Sequence, residues 1–335
     1  MGQFNSEQAA IASLLETFVG VMARRHVALD SRVYRPVFLK PQGTARGVFR
    51  IRQDLPMHLR VGVFAHKEFP AWVRFSGDVV PQGSDLANNT LGLGIKLLGV
   101  PGTKLLEGEE GALTHDFVLQ NHDVFFANDA QEFAEFSAAA LESDAALAQF
   151  LATHPRAAGI LQEMASKQEE SLLLTHFFSA VPYAFGDRVV KYAVRPSHNG
   201  GHRSPTPAGD RGPDYLRRDL RKRLLKESAS FDFFLQLQTD PVAMPIEKAT
   251  VRWSESLSPF IPVATLELAK QDIDQPSQQE SIDNLSFTGW HALPEHSPVG
   301  GVNRARRAVY KASADYRRRR NHVPLGEPIE AIRPR

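Results

Sequence analysis

Hydrophobic and polar residues alternate in short runs between residues 30 and 126, and this pattern predicts β-strands. Each run is rich in β-branched and aromatic residues, and glycine, proline or aspartate separates one run from the next. Such runs are typical of antiparallel strands joined by turns, which would close into a barrel or a curved sheet. The runs are GVFRIRQDL (47–55), RVGVFA (60–65), AWVRFSG (71–77), GLGIKLLG (92–99) and HDFVLQNHDVFF (115–126).

The pattern changes at residue 129. Residues 129–178 are rich in Ala, Leu and Glu, and their apolar residues recur every three or four positions, which predicts helices. Residues 1–29 are predicted to form a helix capped by Ser6. Strands return in HFFSAVPYAF (176–185), RVVKYAVRP (188–196), FDFFLQLQTD (231–240) and EKATVRWSES (247–256). A Gly/Pro/Ser-rich loop is predicted at 196–213 and a basic helix at 214–228.

The composition excludes several kinds of site. The chain has no cysteine, which excludes disulfides, thiolate catalysis, zinc fingers and iron–sulfur ligation. A metal would therefore need His, carboxylate, Tyr or a cofactor as its ligand. No apolar run approaches the roughly 20 residues of a membrane span, and residues 1–26 lack the basic segment of a secretion signal. We therefore expect a cytoplasmic globular protein.

One basic stretch stands out near the end of the chain. Residues 304–321 read RARRAVYKASADYRRRRN and hold seven arginines, although the net charge of the whole chain is only +1. The alanines favour a helix, in which Arg306, Tyr310 and Arg317 share one face. A guanidinium one turn from a phenol stabilises the phenolate, which can bind iron. Arg317 lies about 10.5 Å further along the axis, which suits a cation that binds the carboxylate of a flat ligand.

Two other interpretations of this stretch stay open. A solvated basic helix would carry the same charges without a ligand. Nucleic-acid binding would use the arginines to contact phosphates, but the rest of the chain is close to neutral and has no second basic stripe interleaved with aromatic residues. Nucleic acid is therefore not the expected partner.

The spacing Arg306-x-x-x-Tyr310-x-x-x-x-x-x-Arg317 resembles the haem-binding helix of the haem catalases. In that family the tyrosine binds the haem iron, the first arginine neutralises the tyrosinate, and the second binds a haem propionate. The resemblance implies haem b as cofactor and Tyr310 as the iron ligand. It also implies an α+β fold, in which an antiparallel catalase-like β-barrel carries a packed helical region.

Other blocks resemble the same family in the same order along the chain. WVRFSGD aligns Arg74 with a propionate-binding arginine and Ser76 with a serine on the distal side of the haem. HDFVLQNHDVFFANDAQEF aligns Gln120 with the distal asparagine and Phe133 with a phenylalanine near the haem. SDLANNTLGLGIKLLG, FDFFLQLQTDP and TVRWSES are similar to neighbouring strands of the family. The likeness extends over residues 30–320.

The distal motif departs from the family pattern. Residues 35–40 read RPVFLK, so that Arg35 and Val37 match residues that contact the haem, whereas Phe38 stands in the position of the catalytic histidine. That histidine moves a proton between the two peroxide oxygens, and phenylalanine has no group to do so. We therefore expect weak or absent catalase activity. Within the family, the chain resembles the short bacterial catalase-like haem proteins that lack this histidine.

His122 is a candidate for the missing base. It lies two residues beyond Gln120 and would share its face of an extended strand. The alternative is a histidine at a strand end that is bonded to a loop carbonyl. An apolar residue at Phe38 also favours an organic substrate such as a lipid hydroperoxide, because catalase-related enzymes act on such molecules.

The predicted function is therefore the reaction of hydrogen peroxide or an organic hydroperoxide at a Tyr-ligated ferric haem. A haem-binding or haem-sensing protein without catalysis is the alternative, and the sequence does not separate the two. The predicted organisation is an N-terminal helix (1–29), a haem-binding domain (30–322) and a C-terminal tail (323–335). The sequence leaves the oligomeric state open, a homo-oligomer included, and no membrane span is expected.

Overall fold

The computed structural model describes residues 6–29, 32–197, 211–275 and 284–327. Nine strands lie within them: β1 (Lys40–Ile51), β2 (Glu68–Gly77), β3 (Leu91–Leu98), β4 (Thr114–Gln120), β5 (Phe177–Phe178), β6 (Tyr183–Phe185), β7 (Arg188–Pro196), β8 (Ala229–Leu237) and β9 (Ile261–Leu268). All pairings are antiparallel, in the order β5-β4-β3-β2-β1-β9-β8-β7, and β5 also pairs with β7. The eight strands therefore close a barrel, with β6 attached outside it.

Six α-helices accompany the barrel within the described residues. They are α1 (Glu7–Leu29), α2 (Ala130–Glu142), α3 (Asp144–Thr153), α4 (Pro155–Ala165), α5 (Tyr215–Leu224) and α6 (Gly301–Arg320). The Ser6 hydroxyl accepts a hydrogen bond from the amide of Ala9 over 3.2 Å, and Asp129 caps α2 in the same way. Each described helix is too short or too polar to span a lipid bilayer. The α+β fold predicted from the sequence is confirmed.

The barrel interior is filled by aromatic side chains from alternate strand positions. Phe117 lies 4.7 Å from Phe233 between ring centroids, and Phe49 lies 5.2 Å from Phe233. These rings belong to the main hydrophobic core, together with Val73, Phe75, Leu93 and Ile95. Burial of such rings is the main favourable contribution to folding.

The opposite face of β2, β3 and β4 carries polar and small residues. Because side chains alternate along a strand, Arg74 and Ser76 point away from the core. Their register partners on β3, Gly94 and Gly92, lie on the same face of the sheet. This outer wall is nevertheless buried, with Arg74 6% and Ser76 2% exposed. Other segments of the chain therefore cover it, and the candidate site lies there.

Three element predictions differ from the structure. RVGVFA was expected to be a strand, but Gly62–Ala65 forms a 3-10 helix because Gly62 has a φ of +52° and the amide of Val63 donates to His296 Nε2 over 3.2 Å. The stretch 247–256 contains no strand, since Val251 closes a turn by donating to the Lys248 carbonyl. Strand β9 was not predicted. Most of the predicted loop 196–213 lies outside the described residues.

Candidate functional site

Tyr310 lies in the middle of α6 and is half-buried. It packs against a small apolar cluster that joins α1, α2 and α6, formed by Ala10, Leu14, Ala130, Ala134, Ala305 and Val309. The ring therefore does not point into bulk solvent. The helix predicted over this stretch is confirmed, and it places Arg306 one turn before Tyr310.

Arg306 lies between two aromatic residues. Its guanidinium carbon is 5.2 Å from the ring centroid of Phe125, which in turn contacts Phe133 at 5.2 Å in an edge-on arrangement. The guanidinium also lies next to the hydroxyl of Tyr183, a buried residue that the sequence analysis did not single out. Burial raises the pKa of the Tyr183 phenol to about 12, although Arg306 acts in the opposite direction. Tyr183 therefore stays a neutral phenol beside Arg306.

Backbone hydrogen bonds fix Tyr183 against the start of α6. The amide of Ala184 donates to the Ser297 carbonyl over 2.7 Å, and Tyr183 forms a β-bridge with Pro298. The side chain of Asn303, in the first turn of α6, donates to the Pro182 carbonyl over 2.8 Å. Strand β6 and α6 thus hold each other in register, and no sequence pattern indicated this pairing.

Ser76, Gly92 and Gln120 lie side by side across three strands of the outer wall. Ser76 Oγ donates to the Gly92 carbonyl over 3.3 Å. The ring of Phe38 lies over Gly92: a Cβ atom at this glycine would be 2.9 Å from Phe38 Cδ1 and 2.9 Å from Ser76 Oγ. The structure therefore brings Phe38, Ser76 and Gln120 to one patch of the wall.

The backbone of Phe38 is held in a strained conformation. Its φ of +49° lies in the left-handed region, which is unusual for an aromatic residue. The Phe38 amide donates to Asp78 Oδ1 over 2.8 Å, and its carbonyl accepts from Arg74 Nη2 over 2.9 Å. Two side chains thus fix this residue on both sides, as is common at functional sites.

Gln120 and His122 turn toward the loop that follows β4. Gln120 Nε2 donates to the Val124 carbonyl over 3.0 Å. His122 Nε2 lies 3.7 Å from Glu163 Oε2 of α4, and burial followed by the charge of Lys167 lowers the pKa of this histidine. Because β4 ends at Gln120, the strand alternation expected for His122 does not continue. The imidazole contacts the carboxylates of Asp123 and Glu163.

Arg35 and Arg317 meet at one backbone oxygen. Arg35 Nη2 donates to the carbonyl of Leu285 over 2.7 Å, and Arg317 Nη2 donates to the same atom over 2.8 Å. The side chain of Leu285 packs with Trp72 and Leu98 on the outer wall. Val37 is half-buried two residues beyond Arg35. Arg35, predicted to contact the haem, and Arg317, predicted to bind a propionate, therefore converge.

Helix α1 connects the surroundings of Tyr310 with those of Phe38. Phe18 of α1 contacts Phe133 at 5.7 Å, and further along Arg25 Nη1 donates to the Pro36 carbonyl over 2.9 Å. Seven residues of helix separate these contacts by about 10 Å. The candidate site is thus bordered by the outer wall, α1, α6 and the segment that carries Phe38.

The charges of the site are mostly positive. Arg35, Arg74, Arg306 and Arg317 contribute four cations, and Asp78 is the carboxyl group beside Phe38. Burial raises the pKa of Asp78, against the hydrogen bond from the Phe38 amide and the charge of Arg25. A phenol one helical turn from an arginine, together with several other guanidinium groups, supplies the donor types that a haem requires for its iron and its carboxylates.

Solved catalases share this architecture. The chain matches a fungal catalase with a TM-score of 0.69 at 19% identity, catalase A from Saccharomyces cerevisiae with 0.69 at 18%, and a bacterial catalase with 0.67 at 18%. The fold is that of the catalases. Each match covers 88% of this chain and 62%, 63% and 59% of the respective catalases, so the chain spans about three-fifths of their length. No protein-family model and no curated protein sequence matches it.

Proposed function

We propose that this chain is a haem b protein of the catalase superfamily, similar to its short bacterial members, and that it reacts with hydrogen peroxide or an organic hydroperoxide. One observation carries the proposal: in a catalase fold, Arg306 and Tyr310 lie one turn apart on α6, and Arg317 of the same helix face converges with Arg35. A solvated basic helix would not need these buried contacts.

Each residue has a defined part in this proposal. Tyr310 would bind the haem iron, and Arg306, one turn earlier on α6, would balance the charge of this ligand. Arg35, Arg74 and Arg317 would bind the two propionates, and Val37 and Phe133 would contact the ring. A bound ferric haem would supply an iron position at which an O–O bond can be broken.

The distal residues make true catalase activity weak. Phe38 cannot accept or return a proton, and the loss of one positioned acid–base group costs about 10²–10⁴-fold in rate. Ser76 and Gln120 are committed to backbone carbonyls. The apolar ring of Phe38 instead offers contact to the carbon chain of an organic hydroperoxide. Asp78, whose carboxylate binds the Phe38 amide, is a second candidate beside His122 for a group that moves a proton.

Haem binding without catalysis is the second candidate, since it needs Tyr310 and the arginines but no distal base. Nucleic-acid binding loses support because acidic partners already engage arginines of α6: Arg304 binds Glu7 and Glu247. A cytoplasmic location and self-association stay predictions.

Reconstitution with haem tests the proposal. The purified chain should take up one haem and give the absorption spectrum of high-spin ferric tyrosinate haem. Tyr310→Phe should abolish that spectrum, whereas the control Tyr316→Phe, on the same helix, should keep it. A Tyr310→Phe protein with an unchanged spectrum would contradict the proposed ligand. Turnover of hydrogen peroxide and of an organic hydroperoxide then separates catalysis from simple binding.

A further inference from the structure

Six charged side chains lie buried together beside the outer wall, and the proposed function uses none of them. They come from β3, β4, two loops, α6 and the segment after it, and none is more than 7% exposed. Such charges are costly to bury unless each is paired. The six residues are Lys96, Glu109, Asp116, His291, Arg318 and Glu327.

Glu327 is bound by four donors at its two carboxylate oxygens. Oε1 accepts from Arg318 Nη2 over 3.1 Å and from Ser286 Oγ over 3.1 Å. Oε2 accepts from Thr114 Oγ1 over 3.1 Å and from the ammonium of Lys96. Two cations and two hydroxyl groups around one carboxylate form a complete receptor for this anion.

The other three charged residues, His291, Asp116 and Glu109, make the buried group electrically neutral. His291 Nδ1 lies 2.8 Å from Asp116 Oδ2 and its Nε2 lies 2.5 Å from Glu109 Oε2, so both nitrogens face carboxylates and the ring is an imidazolium. Three positive groups therefore face three negative ones when Glu327 is in place. Without Glu327, the positive charge would exceed the negative charge by one in a buried site.

A metal ion is the competing interpretation. Ligand atoms of Glu109, His291 and Glu327 lie within 4.8 Å of one another, close enough to hold a metal. However, Lys96 and Arg318 already supply the positive charge at Glu327, and His291 has no free nitrogen left to offer. The donors at this site therefore select a carboxylate, not a cation.

The carboxylate receptor is linked to the arginine pair of the candidate site. Ser286, which binds Glu327, is adjacent to Leu285, whose carbonyl holds Arg35 and Arg317. Arg318 also donates to the carbonyl of residue 284 over 3.2 Å. A change at Glu327 would thus be transmitted to the Leu285 carbonyl through residues in direct contact.

We propose that Lys96, Thr114, Ser286 and Arg318 form a carboxylate-binding site whose ligand is the chain's own Glu327. Residues 321–327, here named the C-terminal latch, thereby fix residues 284–286 and the arginine pair that they hold. This inference concerns the protein with or without haem, so its failure would leave the proposed function untouched.

Chemical rescue tests the receptor. Glu327→Ala in the full chain should lower the melting temperature by about 5 °C, because it leaves buried cations unpaired. Acetate should restore part of this loss in a saturable way, whereas acetamide at the same concentration should not. The matched control is Glu107→Ala, at an exposed glutamate of the loop that carries Glu109. Equal effects of acetate and acetamide, or equal rescue of the control, would overturn the proposal.

A milder variant covers the case in which Glu327→Ala does not fold. Glu327→Gln keeps the size of the side chain and removes its charge. Hydrogen exchange measured by mass spectrometry should then become faster in the C-terminal latch and in residues 284–293 together. Faster exchange confined to the latch, or no change in either segment, would show that Glu327 does not hold Leu285 in place.

Discussion

Arg35 and Arg317 donate hydrogen bonds to the same oxygen atom, the carbonyl of Leu285, over 2.7 and 2.8 Å. The two residues come from opposite ends of the chain, and the fold brings their guanidinium groups to one neutral acceptor. Two like charges at one place favour an anionic ligand, and a guanidinium binds a carboxylate through two parallel hydrogen bonds. Under the proposed function, these two guanidinium groups would lie beside the propionates.

Phe38→His should restore a proton-transfer group to the distal side. With haem bound, we expect oxygen evolution from hydrogen peroxide to rise by about 10²-fold or more, because a positioned histidine contributes about that factor. Phe38→Leu serves as the control, since it also removes the ring but adds no base. If the histidine and leucine variants evolve oxygen equally, the missing histidine does not limit catalase activity.

Asp78→Asn should reduce turnover of an organic hydroperoxide by about 10²-fold. Burial raises the pKa of Asp78, so its protonation should give an acidic limb in the rate–pH profile, and this limb should disappear in the variant. Asp187→Asn, at an exposed turn, is the control. A lower rate with an unchanged pH profile would mean that Asp78 only holds the Phe38 backbone.

Gly92→Ala should destabilise the protein by about 1–3 kcal/mol, a typical cost of overpacking. The new Cβ would lie 2.9 Å from both Phe38 Cδ1 and Ser76 Oγ, so at least one of them must shift. Urea denaturation measures the free energy of unfolding. Gly111→Ala is the control, because no atom lies within 4 Å of a Cβ placed there.

A double variant separates the clash with the Phe38 ring from the clash with Ser76. In a Phe38→Ala background, Gly92→Ala should cost about 1 kcal/mol less than in the wild type, since the ring no longer opposes the new methyl group. An unchanged cost would show that Ser76 alone restricts Gly92, and the ring of Phe38 would then not lie over this glycine.

The sequence predicted the elements whose residue pattern is local. Strands β2, β3 and β4 have alternating apolar residues, and α6 has an Ala-rich run, so short-range patterns were sufficient there. The pattern failed at Gly62, where a positive φ and a distant histidine convert an apolar run into a 3-10 helix. The strand propensity of a short segment carries no information about such long-range contacts.

Residue spacing predicted the candidate site only where one helix carries its residues, whereas Phe38, Ser76 and Gln120 were placed on one side by the family resemblance. Arg306, Tyr310 and Arg317 share a helix face, so their spacing alone brought them together. Tyr183 and Leu285 were missed because they reach the site through the pairing of β6 and through a loop. The six buried charges could not be predicted either. They come from two distant stretches of the sequence, no local pattern marks them as buried, and only the fold brings them together.

The buried charges predict a pH dependence of stability. Burial alone would lower the pKa of His291, but the carboxylates of Glu327 and Asp116 outweigh it and raise the pKa to about 9. A pKa raised in the folded state means that the stabilisation is complete below about pH 6.5, the unfolded value, and is lost as the pH rises through about 9. The free energy of unfolding should therefore fall on the alkaline side.

Between about pH 6.5 and 8 the titration of Lys191 is avoided, because burial lowers the pKa of this lysine to about 8 and it acts in the opposite direction above that pH. Burial also lowers the pKa of four histidines, which add stability as the pH rises through this interval, so only the difference between the wild type and a His291 variant isolates His291. Over this interval, the stability advantage of the wild type over His291→Gln, measured as the difference in their free energies of unfolding in urea, should shrink by about 2 kcal/mol. His291→Gln should be less stable than the wild type at pH 6.5, and its free energy of unfolding should rise relative to that of the wild type across the interval. If the variant keeps the wild-type slope, another group titrates and the imidazolium between Glu109 and Asp116 does not stabilise the fold.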